Sequence, residues 1–209
     1  MKLFHTLPLK HAEDDICHRY LKVATIENLN DPFECLAFAS LTQDFKQDQF
    51  NTKTQLNNMI GLLCFSDKWT NPAIWSHYGD NHNGLCLGFE IPDKRIEKVN
   101  YFKNRLPFPI GKYLTYQEWY SRVALAFIST KADIWAYENE FRILVDLNSC
   151  IRKNNLYYYP LGNDLILQEI IIGFKSEKSI TEISQFANSY NLDIHVTKAS
   201  LSNSLYEMI

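Results

Sequence analysis

Three short stretches carry most of the side chains able to do chemistry. The densest runs from Leu62 to Glu90, where Trp75, His77, Tyr78, Asp80 and His82 lie between the apolar runs Leu62–Phe65 and Leu85–Phe89. Such runs read as buried strands, and loops held by a rigid sheet are where sites usually sit. The second stretch is Asn30, Asp31 and Glu34, whose carboxylates can contact a ligand from a loop. They fit a helix N-terminus as well, with Asp31 capping at Pro32 and Glu34 completing a capping box. The third is Trp135–Arg142, W-A-Y-E-N-E-F-R. Glu138, Glu140 and Arg142 alternate there, so an extended chain puts them on one face. That face is either a structural ion pair or an Arg holding a Glu in place for chemistry.

Other chemistries fit less well. His77, His82, Cys64 and Cys86 are close in sequence, but the His spacing is not that of a zinc-binding helix and no C-x-x-C supports it. No metal is expected. A Cys64–His nucleophile pair is a further alternative. The non-catalytic reading has Trp75 and Tyr78 packing in the core while His77 bonds backbone.

The elements that must position these residues follow from pattern. Met1–Leu7, Tyr20–Thr25, Met59–Ser66, Leu85–Ile91, Val99–Phe102, Phe141–Leu147, Tyr157–Pro160, Leu165–Phe174 and Asp193–Lys198 read as strands or extended pieces. Asp133–Glu138 is the approach to the strand at Phe141. Helical stretches are expected at His11–Arg19, Asn71–Tyr78, Tyr113–Thr130 and Ser179–Tyr190. At Asn71-Pro72 an Asn cap precedes a Pro suited to the first turn. Ser40–Asn58 is an irregular or helical excursion. Many strands with scattered helices, and no linker or repeat, give one α+β domain over residues 1–209, its sheet mixed but mostly antiparallel and flanked by short helices.

The chain has 209 residues, 46% hydrophobic and 22% charged, enough to bury a core without staples. A net charge of −3 argues against a general nucleic-acid binder. The five cysteines are scattered and odd in number. With no secretory signal and no apolar run of bilayer length, they read as reduced thiols in a cytoplasmic protein without a membrane partner.

Taken together, N-D-P-F-E at Asn30–Glu34, C-F-S at Cys64–Ser66, I-W-S-H-Y-G-D-N-H-N-G at Ile74–Gly84, C-L-G-F at Cys86–Phe89 and W-A-Y-E-N-E-F-R-I at Trp135–Ile143 resemble the bacterial domain-of-unknown-function family 2971. That family name carries no settled activity. The order of parts is also similar to the ADP-ribosyltransferase fold, particularly the DNA-modifying DarT-like toxins. The corresponding parts are Phe4-His5-Thr6, Cys64–Tyr78, Asn139–Val145 and Glu169–Gly173. This second resemblance implies NAD as substrate, with ADP-ribose transferred to a nucleic-acid or protein acceptor or released to water, in a bacterial toxin or defence setting. Under it Glu140, with Glu138 second, stabilises the oxocarbenium-like transition state. His5 positions the ribose of the adenosine half, and Tyr78 or Trp75 stacks on nicotinamide. Ser66 and His77 orient the dinucleotide, while Asn30, Asp31 and Arg142 complete the binding set. The alternative is a non-catalytic module that binds a nucleotide or a protein.

Overall fold

A computed structural model describes residues 1–39, 42–108, 115 and 123–209. The strands are β1 (Lys2–Leu7), β2 (Tyr20–Val23), β3 (Ile60–Ser66), β4 (Leu85–Glu90), β5 (Glu97–Lys98), β6 (Asn100–Phe102), β7 (Thr130–Ala132), β8 (Glu140–Asp146), β9 (Ile151–Lys153), β10 (Leu156–Pro160), β11 (Ile166–Ile172) and β12 (His195–Lys198). The helices are α1 (Leu9–His18), α2 (Gln43–Asn57), α3 (Pro72–Tyr78), α4 (Leu125–Ile128) and α5 (Ile180–Ser189). A seven-stranded sheet in the order β12-β11-β4-β1-β3-β8-β5 forms the centre. Its neighbours pair antiparallel except β11 and β12, which run parallel. Parallel neighbours need a crossover, and α5 supplies it. This is the α+β, mixed and mostly antiparallel sheet flanked by short helices that the patterning predicts.

Period-two alternation decides what each face buries. Along β4, Leu85, Leu87 and Phe89 enter the main core with Leu3, Phe65, Ile143 and Ile170. Cys86, on the opposite face, packs with Trp75, Ile171 and Met208. Helix α1 adds Ala12 and Ile16 to the main core, and α5 adds Ile183 and Ala187. A capping box fixes the start of α5: Ser179 Oγ accepts from Glu182 N, and Glu182 returns a carboxylate to Ser179 N.

Helix α3 begins as predicted, with the Asn71 side chain accepting from Ala73 N and Pro72 in the first turn. The turn after it holds Asp80, Asn81 and His82 at positive φ. Gly84 lies so close to the Leu7 carbonyl that a Cβ there would come within 2.2 Å of its oxygen.

Two local expectations are corrected. Asp31–Cys35 forms a turn, not a helix start. Asp31 Oδ1 does accept from Phe33 N, but Glu34 turns inward to a partner far along the chain. Asp133–Glu138 is a 3-10 helix that ends at Asn139 in the left-handed region, so Glu138 is not on the strand that carries Glu140 and Arg142. Half of the helix expected over Tyr113–Thr130 lies outside the described residues; within the rest, Leu125–Ile128 is helical and Thr130 already begins β7. Among the described residues no helix is long and apolar enough to cross a membrane.

Candidate active site

A cleft opens where the edge of β3 changes partner. Strand β1 meets β3 at Phe4↔Ser66, whereas farther along β3 Leu62 bridges to Ala24. Across the gap His5 Nδ1 lies 2.8 Å from the Cys64 carbonyl. A carbonyl only accepts, so Nδ1 carries the proton and Nε2 is left as an acceptor. Burial lowers the His5 pKa against the opposing pull of the Cys64 bond, which keeps the ring neutral near pH 7. The cleft encloses about 220 Å³. His5, Ser66, Tyr78, Lys131, Glu138 and Glu140 line it, with Phe4, Phe65 and Ile74 among its apolar walls.

One wall is a buried ionic network. Arg142, 1% exposed, spends all five N–H donors. It bonds Glu140 through Nε (2.7 Å) and one terminal nitrogen (2.9 Å), Glu34 through both terminal nitrogens (3.0 and 2.7 Å), and the Ile128 carbonyl (2.6 Å). The Lys131 ammonium faces Glu138 at 2.6 Å, Glu140 at 3.1 Å and Glu34 at 3.4 Å. Burial acts to lower the Lys131 pKa, but the charges of Glu140, Glu34 and Glu138 overcome it, and the net shift is upward. Burial likewise acts to raise the Glu140 pKa. The charge and hydrogen bonds of Arg142, then the charge of Lys131, more than offset this and hold the carboxyl below its ordinary value. Glu140 is therefore anionic and thoroughly engaged.

Glu138 is held differently. Its Oε1 accepts from Tyr78 OH (2.5 Å) and its Oε2 from Lys131. A carboxylate has about four acceptor positions, so each Glu138 oxygen keeps one open. Burial and then the bond to Glu138 raise the Tyr78 pKa, so the phenol stays protonated and donates. Asn30 Nδ2 donates in turn to the Tyr78 oxygen. The backbone beneath is clamped: Ser66 Oγ donates to the Glu138 carbonyl (2.7 Å), Asn71 to the Tyr137 carbonyl, and Asn139 to Asp67. Tyr101 OH accepts from Glu140 N. A carboxylate held by two side-chain donors above a clamped main chain is preorganised, which is what electrostatic catalysis requires.

Of the ten residues that the second resemblance assigns to the NAD site, His5, Asn30, Ser66, Tyr78, Glu138 and Glu140 share this cleft. Four do not line it. Trp75 is fully buried against Cys86 and Met208, with Nε1 donating to the Trp69 carbonyl, so it has no surface on which to stack a ligand. Arg142 lies behind Glu140 with no donor to spare. Asp31 is 3% exposed and serves its own turn. His77 faces outward, in contact with Tyr137 OH and the ring of Trp135. Sequence reasoning missed Lys131 altogether and gave Glu34 a ligand contact from a loop or a place in a capping box, not the buried pair it makes with Arg142. The one available hint was that an E-x-E-x-R alternation leaves an odd carboxylate needing a second cation. Among the described residues, no group of three or more His, Cys, Asp and Glu side chains is arranged to hold a metal ion. No protein-family model, curated protein or solved structure matches the chain.

Proposed function

We propose that the protein binds NAD and cleaves the bond between nicotinamide and ribose, transferring ADP-ribose to an acceptor or to water. The reading rests on one observation: a neutral imidazole and two carboxylates face a single apolar-walled cleft. Breaking the glycosidic bond sends its electron pair to nicotinamide and leaves positive charge on the sugar carbon and ring oxygen. Glu138, with its open acceptor positions, is assigned to accept the ribose hydroxyls and stabilise that charge. Glu140 is assigned the supporting role, holding Lys131 and Arg142 in register beneath it. His5 Nε2 accepts a further sugar hydroxyl, and the Tyr78 ring forms the wall beside the leaving group. Nucleic-acid and protein acceptors are both compatible with this scheme.

The alternative is a module that binds a nucleotide without turning it over. One observation favours it: Glu140, the residue that the resemblance makes catalytic, has its oxygens occupied by Arg142 and Lys131. Incubation with NAD, followed by chromatography for nicotinamide and ADP-ribose, separates the two. Release of nicotinamide above the uncatalysed rate supports the enzyme. Saturable NAD binding without release leaves the binding module.

A further inference from the structure

We infer that the cleft recognises the cationic N-glycoside end of its substrate and no phosphate, so that a pyridinium nucleoside alone is a sufficient ligand. This inference rests on the NAD reading and specifies which part of the dinucleotide the protein reads.

The first support is an inventory of donors. Phosphate oxygens are recognised by N–H and O–H groups, above all by Arg and Lys. Among the described residues the only cation lining the cleft is Lys131, and three carboxylates already surround its ammonium. Most other side-chain donors are committed: His5 Nδ1 goes to the Cys64 carbonyl, Ser66 Oγ to the Glu138 carbonyl and Tyr78 OH to Glu138, while Asn28 and Asn30 each give one of their two amide N–H groups, to Thr25 and to the Tyr78 oxygen, and keep one neutral N–H. No charged donor remains free there, and what is open is chiefly acceptor capacity, at His5 Nε2 and at both oxygens of Glu138. Sugar hydroxyls and a carboxamide N–H can donate to such groups; a diphosphate cannot.

The second support is charge. Glu34, Glu138 and Glu140 stand against Lys131 and Arg142, three carboxylates to two cations, all buried. The residual negative charge lies beside apolar walls, where weak screening strengthens its effect. A flat ring with delocalised positive charge gains from both features, while an anion is repelled. Size agrees: about 220 Å³ falls below the roughly 300–1,000 Å³ usual for pockets that enclose a drug-sized ligand. A ring and its sugar match that space better than a dinucleotide.

Calorimetry on the intact protein tests this with four probes: nicotinamide riboside, its uncharged dihydro form, NAD and inorganic pyrophosphate. We expect the riboside and NAD to bind within about threefold of each other, and the dihydro form at least about tenfold more weakly, which is ~1.4 kcal/mol. Pyrophosphate should neither bind nor displace NAD. In Glu138→Gln the preference for the cation should shrink. Because the riboside and its dihydro form are compared on the unaltered protein, the test does not depend on how well that variant folds. NAD binding about a hundredfold tighter than the riboside, ~2.7 kcal/mol, or competition by pyrophosphate, would overturn the inference and leave NAD cleavage standing. Equal binding of the charged and uncharged ribosides would also overturn it. If neither the riboside nor NAD binds, the NAD reading falls together with this one.

Discussion

Glu140→Gln separates an anchoring role for Glu140 from a catalytic one. The substitution keeps the shape and removes one charge from a site where Arg142 is 1% exposed and Glu140 5%. Glu140 receives three donors from Arg142 and Lys131. In the variant an amide NH₂ takes the place of one carboxylate oxygen, so a donor faces donors. Arg142 still has Glu34, yet loses the forked pair on its other side. Breaking a buried pair from one side costs about 3–5 kcal/mol. For a chain of this length 1 kcal/mol moves the melting temperature by roughly 2–4 °C, so a fall of roughly 6–20 °C is expected. Thermal and urea unfolding of variant and parent provide the measurement. A melting temperature within about 2 °C of the parent would refute the anchoring role and return Glu140 to the front of the catalytic residues.

Asp15 is buried in α1 with Oδ2 unbonded, and burial, then the neighbouring charge of Asp14, raise its pKa to about 7. A pKa raised on folding means the folded state binds the proton more tightly, so this group's contribution is lost as pH rises from about 4 through about 7, by at most about 4 kcal/mol. Asp15→Asn should therefore be more stable than the parent above pH 7 and lose that slope, as melts across pH will show. Trp75→Ala removes a fully buried indole and should cost about 3–5 kcal/mol, read as a lower urea midpoint. All five cysteines are unpaired; alkylation in denaturant without reductant, followed by mass spectrometry, should label each of them, and any bridged pair would contradict this.

Local rules recovered the parts whose causes are local. The Asn71-Pro72 start of α3 is visible because cap and first-turn proline are adjacent. Strands β3, β4 and β8, and Ile170–Ile172 of β11, stand out as apolar runs because both their faces are covered. The central ionic network was not legible for the opposite reason. Glu34 and Arg142 lie 108 positions apart, and a capping box offered Glu34 a nearby, plausible and wrong partner. Lys131 sits in S-T-K-A-D, which carries no local signal at all. Glu138 seemed to extend the strand alternation because nothing in the sequence announces that Asn139 takes a left-handed conformation. Trp75 and Tyr78 lie on neighbouring positions of a short helix, yet one enters the core and the other faces the cleft. Only the packing of α3 on the sheet decides which.

The most direct test of the proposed chemistry is the rate of nicotinamide release from NAD by Glu138→Gln, normalised to folded protein. This variant is gentler than the one at Glu140, because Lys131 keeps Glu140 and Glu34 as partners. Loss of the carboxylate that faces the developing charge should lower the rate about a hundredfold or more, ~3 kcal/mol of transition-state stabilisation, with the fold retained. A folded Glu138→Gln protein that releases nicotinamide as fast as the parent would contradict the proposal.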